Sequence, residues 1–158
     1  MRYFLIDKVT EIIVGQNIRG VKNITLSDEI LHDHFPDFPI MPGVLILESV
    51  AQLAGFLLEV TFNDPGISPL RALLMKIDVA KFHQSCGPGD QLDISVSIDS
   101  MLDTAAKIKA EVLNGDQRAV TTTMTFAMKK IDSERIHEQR KYIYKLWTKD
   151  LQPPLSNL

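Results

Sequence analysis

The chain has a single cysteine, Cys86, in 158 residues, which excludes an intramolecular disulfide. No neighbouring pattern marks that thiol as a nucleophile, and it reads as passive. Positive charge is not in excess: the formal net charge is −3, which argues against a general nucleic-acid binder. No basic stretch leads into a signal cleavage pattern, so a reducing, cytoplasmic location is expected. Internal repeats and low-complexity segments are missing as well. What remains is an ordinary globular composition, 45% hydrophobic and 23% charged, long enough for one domain with a sizeable core.

One long apolar run, Val44 to Val60, is broken by Glu48, Ser49, Gln52 and Glu59. A spanning helix would carry Glu48 near the bilayer centre, at a cost of a few kcal/mol. A helix buried inside a globular domain fits better, and no membrane is expected. Pro42 suits the first turn of that helix. Asn63-Asp64-Pro65-Gly66 supplies the turn chemistry to end it. Lys8–Val14 and Asn17–Thr25 read as two strands broken at Gly15-Gln16, and Arg71–Phe82 as a third. Leu92, Ile94, Val96 and Ile98 alternate with polar residues, as do Ile108, Ala110 and Val112, then Val120, Thr122, Met124, Phe126 and Met128. Asn114-Gly115 marks a hairpin between the last two. Ser133 to Trp147 reads as a charged helix with Ile136, Ile143, Leu146 and Trp147 on one face; Pro153-Pro154 stops it, and the last residues are expected to be disordered. These elements predict an α+β fold in which a bent antiparallel sheet wraps a long apolar helix. Residues 1–131 form that domain, and 132–158 a helical extension and tail.

Glu48 and Gln52 are four residues apart and share a helix face. A carboxylate in so apolar a helix needs a partner or a task. Two readings fit: a general acid or base supported by Gln52, or a buried polar pair that satisfies itself or fixes a subunit contact. His34, in a loop stiffened by three prolines, is open to three readings. It is a packed or solvated loop residue, a metal ligand with His32 and with His83 or Glu48, or the partner of Glu48 in proton transfer. The backbone N–H groups of Gly43 and Val44 head the helix and could polarise a carbonyl. Gly43, lacking a side chain, would let a substrate approach its backbone.

His34-Phe35-Pro36, then Pro39-Ile40-Met41-Pro42-Gly43-Val44-Leu45-Ile46-Leu47-Glu48, then Ala51-Gln52, resembles the signature of the 3-hydroxyacyl-acyl-carrier-protein dehydratases of fatty acid synthesis. The likeness runs from Phe4-Leu5-Ile6-Asp7-Lys8-Val9 through Gly20–Thr25 and Ile77-Asp78 to Pro88-Gly89-Asp90-Gln91-Leu92, and the fourteen-residue His34-to-Glu48 spacing fits. It implies the hotdog fold and loss of water from a 3-hydroxyacyl thioester to give the trans-2-enoyl thioester. By the same resemblance His34 takes the C2 proton, Gly43 with Val44 forms the oxyanion site, and Glu48 assists the 3-hydroxyl, with Gln52 behind it. Phe35, Ile40, Met41 and Pro42 are expected along the substrate tunnel. The implied partner is an acyl carrier protein. The implied assembly is a homodimer that pairs His34 of one subunit with Glu48 of the other, with a trimer of dimers as the larger form open to it. No metal or organic cofactor is implied.

The chain departs from that pattern at Asp37-Phe38, where the family usually has Gly followed by a polar residue. Gln84-Ser85-Cys86-Gly87 replaces a more apolar stretch, and the usual aromatics near Arg71-Ala72-Leu73-Leu74 are missing. The tail is not explained by the resemblance. Its Lys129, Lys130, Arg135, Arg140, Lys141 and Lys145 could dock an acidic carrier, or simply face solvent. The same fold could instead serve as an acyl thioesterase or as a non-catalytic carrier-binding subunit.

Overall fold

The computed structural model describes residues 3–63 and 69–155. Six antiparallel strands form one sheet: β1 (Lys8–Ile13), β2 (Asn17–Asn23), β3 (Leu70–Phe82), β4 (Gln91–Leu102), β5 (Ala105–Asn114) and β6 (Gln117–Lys130). Their order across the sheet is β1-β2-β4-β5-β6-β3, which leaves β1 and β3 at the edges. Helix α1 (Gly43–Phe62) lies in the hollow of the sheet, and α2 (Glu134–Trp147) packs outside it. The α+β class expected from the pattern is the one observed.

Period-2 alternation builds the core. Leu92, Ile94 and Val96 of β4, Ile108 and Val112 of β5, and Val120, Met124, Phe126 and Met128 of β6 are buried on the concave face. Thr122 is buried among them, its hydroxyl donating to the Val79 carbonyl at 2.7 Å. Against this face α1 buries Ile46, Val50, Leu53, Ala54, Leu57 and Leu58. By length and mean hydropathy, 1.7, α1 could cross a membrane, but 61% of it is buried within the fold and the sheet is its solvent. The β5–β6 hairpin closes one residue later than Asn114-Gly115. Asn114 still pairs with Gln117, so Gly115 and Asp116 are the central residues, and Gly115 takes a φ of 59°. A first central glycine with positive φ is what a type II′ turn requires.

At its C-terminal end α1 runs to Phe62, two residues past the expected Val60, and is tied to β3 by Asn63. The Asn63 amide donates to the Glu59 and Leu70 carbonyls at 2.8 and 3.0 Å and accepts from the Leu70 N–H at 2.6 Å. The expected turn at Asp64-Pro65-Gly66 lies outside the described residues, as do residues 156–158 of the tail. Helix α2 ends at Trp147, well before Pro153-Pro154, and buries the expected Ile143 and Trp147 but not Leu146. Ile143, Tyr144 and Trp147 are buried, while Leu146 is exposed. Phe56 of α1 dictates this choice, stacking on Tyr144 with ring centroids 4.2 Å apart and meeting Trp147 edge-on at 6.3 Å.

Candidate active site

The segment before α1 is a set of tight turns built on its prolines. Phe35 and Phe38 exchange both backbone hydrogen bonds, at 3.0 and 2.9 Å, around Pro36-Asp37. Asp37 has a φ of +62°. Proline in the second place and positive φ in the third is the arrangement of a type II turn. Glycine is the usual occupant of that third place, and Asp tolerates it better than most side chains. The departure at Asp37 therefore keeps a left-handed backbone. Two further bonds close the loop, from the Ile40 N–H to the His34 carbonyl and from the Met41 N–H to the Cys86 carbonyl, both at 2.8 Å.

Within this loop the His34 ring stacks on Phe35 at 4.3 Å, and its Nδ1 lies 2.9 Å from the Ile40 carbonyl oxygen. A carbonyl only accepts, so Nδ1 donates. The neutral ring then carries its lone pair on Nε2, in the tautomer a general base needs. His83 makes a different contact, with the Thr121 hydroxyl at 3.1 Å. Among the described residues no group of His, Cys, Asp and Glu is placed to hold a metal ion.

Glu48 lies one turn into α1, half-buried, and the Gln52 amide donates to its Oε1 at 2.9 Å. The same amide reaches the Tyr3 carbonyl at 3.1 Å, and Gln52 Oε1 accepts from the Leu5 N–H at 2.9 Å. Gln52 thus pins the N-terminal segment to α1, and among the described residues no hydrogen bond reaches the second oxygen of Glu48. Glu48 opens onto a cavity of about 690 Å³ lined by Tyr3, Phe4, Gln52 and four residues of α2: Gln139, Arg140, Tyr142 and Ile143. Burial, and then the Glu48 charge, push the Tyr3 hydroxyl above its ordinary pKa.

His34 is not in the lining of that cavity, and among the described residues no hydrogen bond joins it to Glu48. Phe35, Ile40, Met41 and Pro42 do not line it either. Met41 is part of the hydrophobic core, Phe35 is half-exposed, and Val44 is largely exposed. The Gly43 and Val44 N–H groups head α1, and no loop carbonyl among the described residues accepts from either. The missing Gly43 side chain has a use the sequence did not show. A Cβ there would lie 2.5 Å from the ring of Phe82, so glycine makes room for that ring at the end of β3. Cys86 is buried under the loop, and burial followed by the Asp90 charge raises its thiol to about 11, which suits a passive residue.

A second polar cluster was not visible in the sequence. Glu59, 3% exposed, accepts from Arg71 Nη1 at 2.8 Å, from the Tyr144 hydroxyl at 2.6 Å and from the Ala72 N–H at 3.2 Å. Arg71 also donates to His137 Nδ1 at 2.7 Å. Burial and the Glu59 charge push the Tyr144 hydroxyl well above its ordinary pKa. Together these bonds latch α2 to α1 and β3.

Comparison with known proteins follows the same lines. A FabA-like domain profile matches residues 1–123. The 3-hydroxyacyl-[acyl-carrier-protein] dehydratase FabZ of Caldanaerobacter subterraneus subsp. tengcongensis is 37% identical over 126 residues, covering 80% of this chain and 87% of that one. Among solved structures, the dehydratase heterocomplex ApeI:P from Xenorhabdus doucetiae superposes with a TM-score of 0.64 at 15% identity, over 87% of this chain and 90% of that one. A hot-dog-like protein from Thermanaerovibrio acidaminovorans gives 0.61 at 18%, over 83% and 91%. A sheet wrapped on a central helix, a turn-locked histidine ahead of that helix and a glutamate within it, in a chain so matched, place it in the FabA-like family of 3-hydroxyacyl-acyl-carrier-protein dehydratases.

Proposed function

We propose that the protein removes water from a 3-hydroxyacyl-acyl-carrier-protein to give the trans-2-enoyl thioester, for fatty acid or related acyl-chain synthesis. The observation that carries this reading is the orientation of His34. Its Nδ1 is engaged by the Ile40 carbonyl, which leaves Nε2 free to take a proton. The C2–H bond is only weakly acidic, and hydroxide is a poor leaving group. Base, oxyanion site and acid must therefore act together. Nε2 of His34 accepts the C2 proton, and the Gly43 N–H, with Val44 beside it, holds the thioester carbonyl as charge develops on its oxygen. The C3–O bond breaks, and the hydroxyl leaves as water with a proton delivered through Glu48, which Gln52 aims.

Among the described residues no hydrogen bond or common cavity joins His34 to Glu48 within one chain, which supports a complete site shared between two subunits. Edge strand β3 supports this assembly. Leu73, Leu74, Met75, Ile77, Val79 and Phe82 along it are 40 to 64% exposed, a long apolar edge that a second copy would cover. The cytoplasm is the compartment that fits a lone, unpaired cysteine.

Purified protein given a 3-hydroxyoctanoyl carrier-protein thioester is expected to form the enoyl product, followed by mass spectrometry. His34→Ala and Glu48→Gln should each lose about 10²- to 10⁴-fold in kcat, the usual worth of a positioned acid or base. Free acid instead of enoyl product would make the protein a thioesterase. Retained dehydration in His34→Ala would remove the base assignment.

A further inference from the structure

The cavity at Glu48 has one wall that lies beyond the residues matched to the family. Helix α2 starts at Glu134, after the matched residues 1–123, and contributes Gln139, Arg140, Tyr142 and Ile143 to the lining. Its position is set by the buried Glu59–Arg71–Tyr144 bonds and the Phe56 stack, so Arg140 is held where it is by the fold. Arg140 is half-buried, yet it makes no ion pair or hydrogen bond with any described residue. A partly desolvated guanidinium without an anion is an unfilled interaction, and its planar fork matches phosphate or carboxylate. The rest of the lining is mostly polar or amphipathic: Tyr3, Glu48, Gln52, Gln139 and Tyr142, with only Phe4 and Ile143 apolar. An amide-bearing, phosphorylated arm finds both hydrogen-bonding groups and a cation there.

We propose that this cavity receives the phosphorylated arm on which a carrier protein presents its acyl group, and that Arg140 of α2 pairs with the arm's phosphate. Arg140 is then a recognition residue, and α2 is the wall along which the thioester enters. The alkyl tail leaves Glu48 on the side away from α2. The assignment of the reacting end at Glu48 rests on the dehydration reading; the phosphate site can be tested without it.

The test titrates the full-length protein with phosphopantetheine and with phosphate-free pantetheine by calorimetry. It also compares kcat/KM for 3-hydroxyoctanoyl thioesters of the two arms. The wild type should favour the phosphorylated arm, and Arg140→Gln should reduce that preference by about tenfold, as expected for a lost charge-assisted bond. Arg140→Lys should restore part of it. Arg135→Gln, which removes an exposed charge from the same helix outside the cavity, should keep it. A wild type that binds both arms equally would overturn the proposal, as would an equal loss in Arg135→Gln. A third substrate, phosphate-free with a carboxylate at the far end of its acyl chain, separates the two sources of negative charge. If Arg140→Gln impairs only that one, the anion belongs to the acyl chain and the arm assignment falls. Phosphopantetheine binding through Arg140 with no dehydration of any thioester would keep this site and sink the dehydratase reading instead.

Discussion

In the proposed mechanism His34 owes its usefulness to what its other nitrogen does. The Ile40 carbonyl, six residues on, selects the tautomer, and the turns between them hold the two together. Asp37 is the residue through which that loop can be probed. At a φ of +62° a β-branched side chain crowds the backbone, so Asp37→Val should cost about 1–2 kcal/mol. Asp37→Gly should change stability by less than about 1 kcal/mol, because relief of crowding is offset by the freedom glycine gains in the unfolded chain. Urea denaturation of both variants checks this; a neutral valine would mean the loop does not depend on that backbone. Glu48 stood out because a carboxylate is unusual in so apolar a helix, whereas the role of His34 came only with the family resemblance. The reason for Gly43 was not legible in the sequence. Its neighbour Phe82 is thirty-nine residues away, and only the register of β3 against β6 brings that ring to the helix start.

At the scale of elements, α1 carries two polar tasks along the face it turns to α2. Glu48 and Gln52 lie near its start, Phe56 and Glu59 near its end, at helical spacing. In the proposed mechanism the first pair serves the site, while the second holds α2. Tyr144→Phe removes a hydrogen bond to a buried carboxylate and should cost about 1.5–3 kcal/mol. Glu59→Leu leaves the Arg71 guanidinium buried without its counter-charge and should cost more, about 3–5 kcal/mol. Thermal or denaturant unfolding of the two variants gives the order; if Glu59→Leu were the milder change, the pair would not be what holds the helix. Strand alternation made β4, β5 and β6 readable, and an unbroken apolar run made α1 readable. The latch stayed hidden because its partners come from a helix end, a strand start and the tail. A polar residue in each looks like ordinary surface. Leu146, expected on the apolar face, is exposed for the same reason, since Phe56 and Glu59 draw Tyr144 inward.

The described chain exposes the apolar strand β3, and His34 does not line the cavity at Glu48; the proposed second subunit would answer both observations. Light scattering should give a mass of about twice the 17.8 kDa of the chain, or a multiple of that dimer. Ile77→Lys, which puts a charge in the middle of the exposed strand, should shift the mass toward the monomer and lose activity in parallel. A fully active monomer would end the shared-site reading. The latch on α2 carries a different consequence, for anyone cutting or joining such chains. Residue 131 looks like a natural place to trim, yet a chain ended there would open the Glu59–Arg71 pair to water and strip the cover from Phe56. Grafted onto a relative without equivalents of Glu59 and Arg71, the same tail would have nothing to fasten to. The extension and the domain it leans on can be transplanted only as a set.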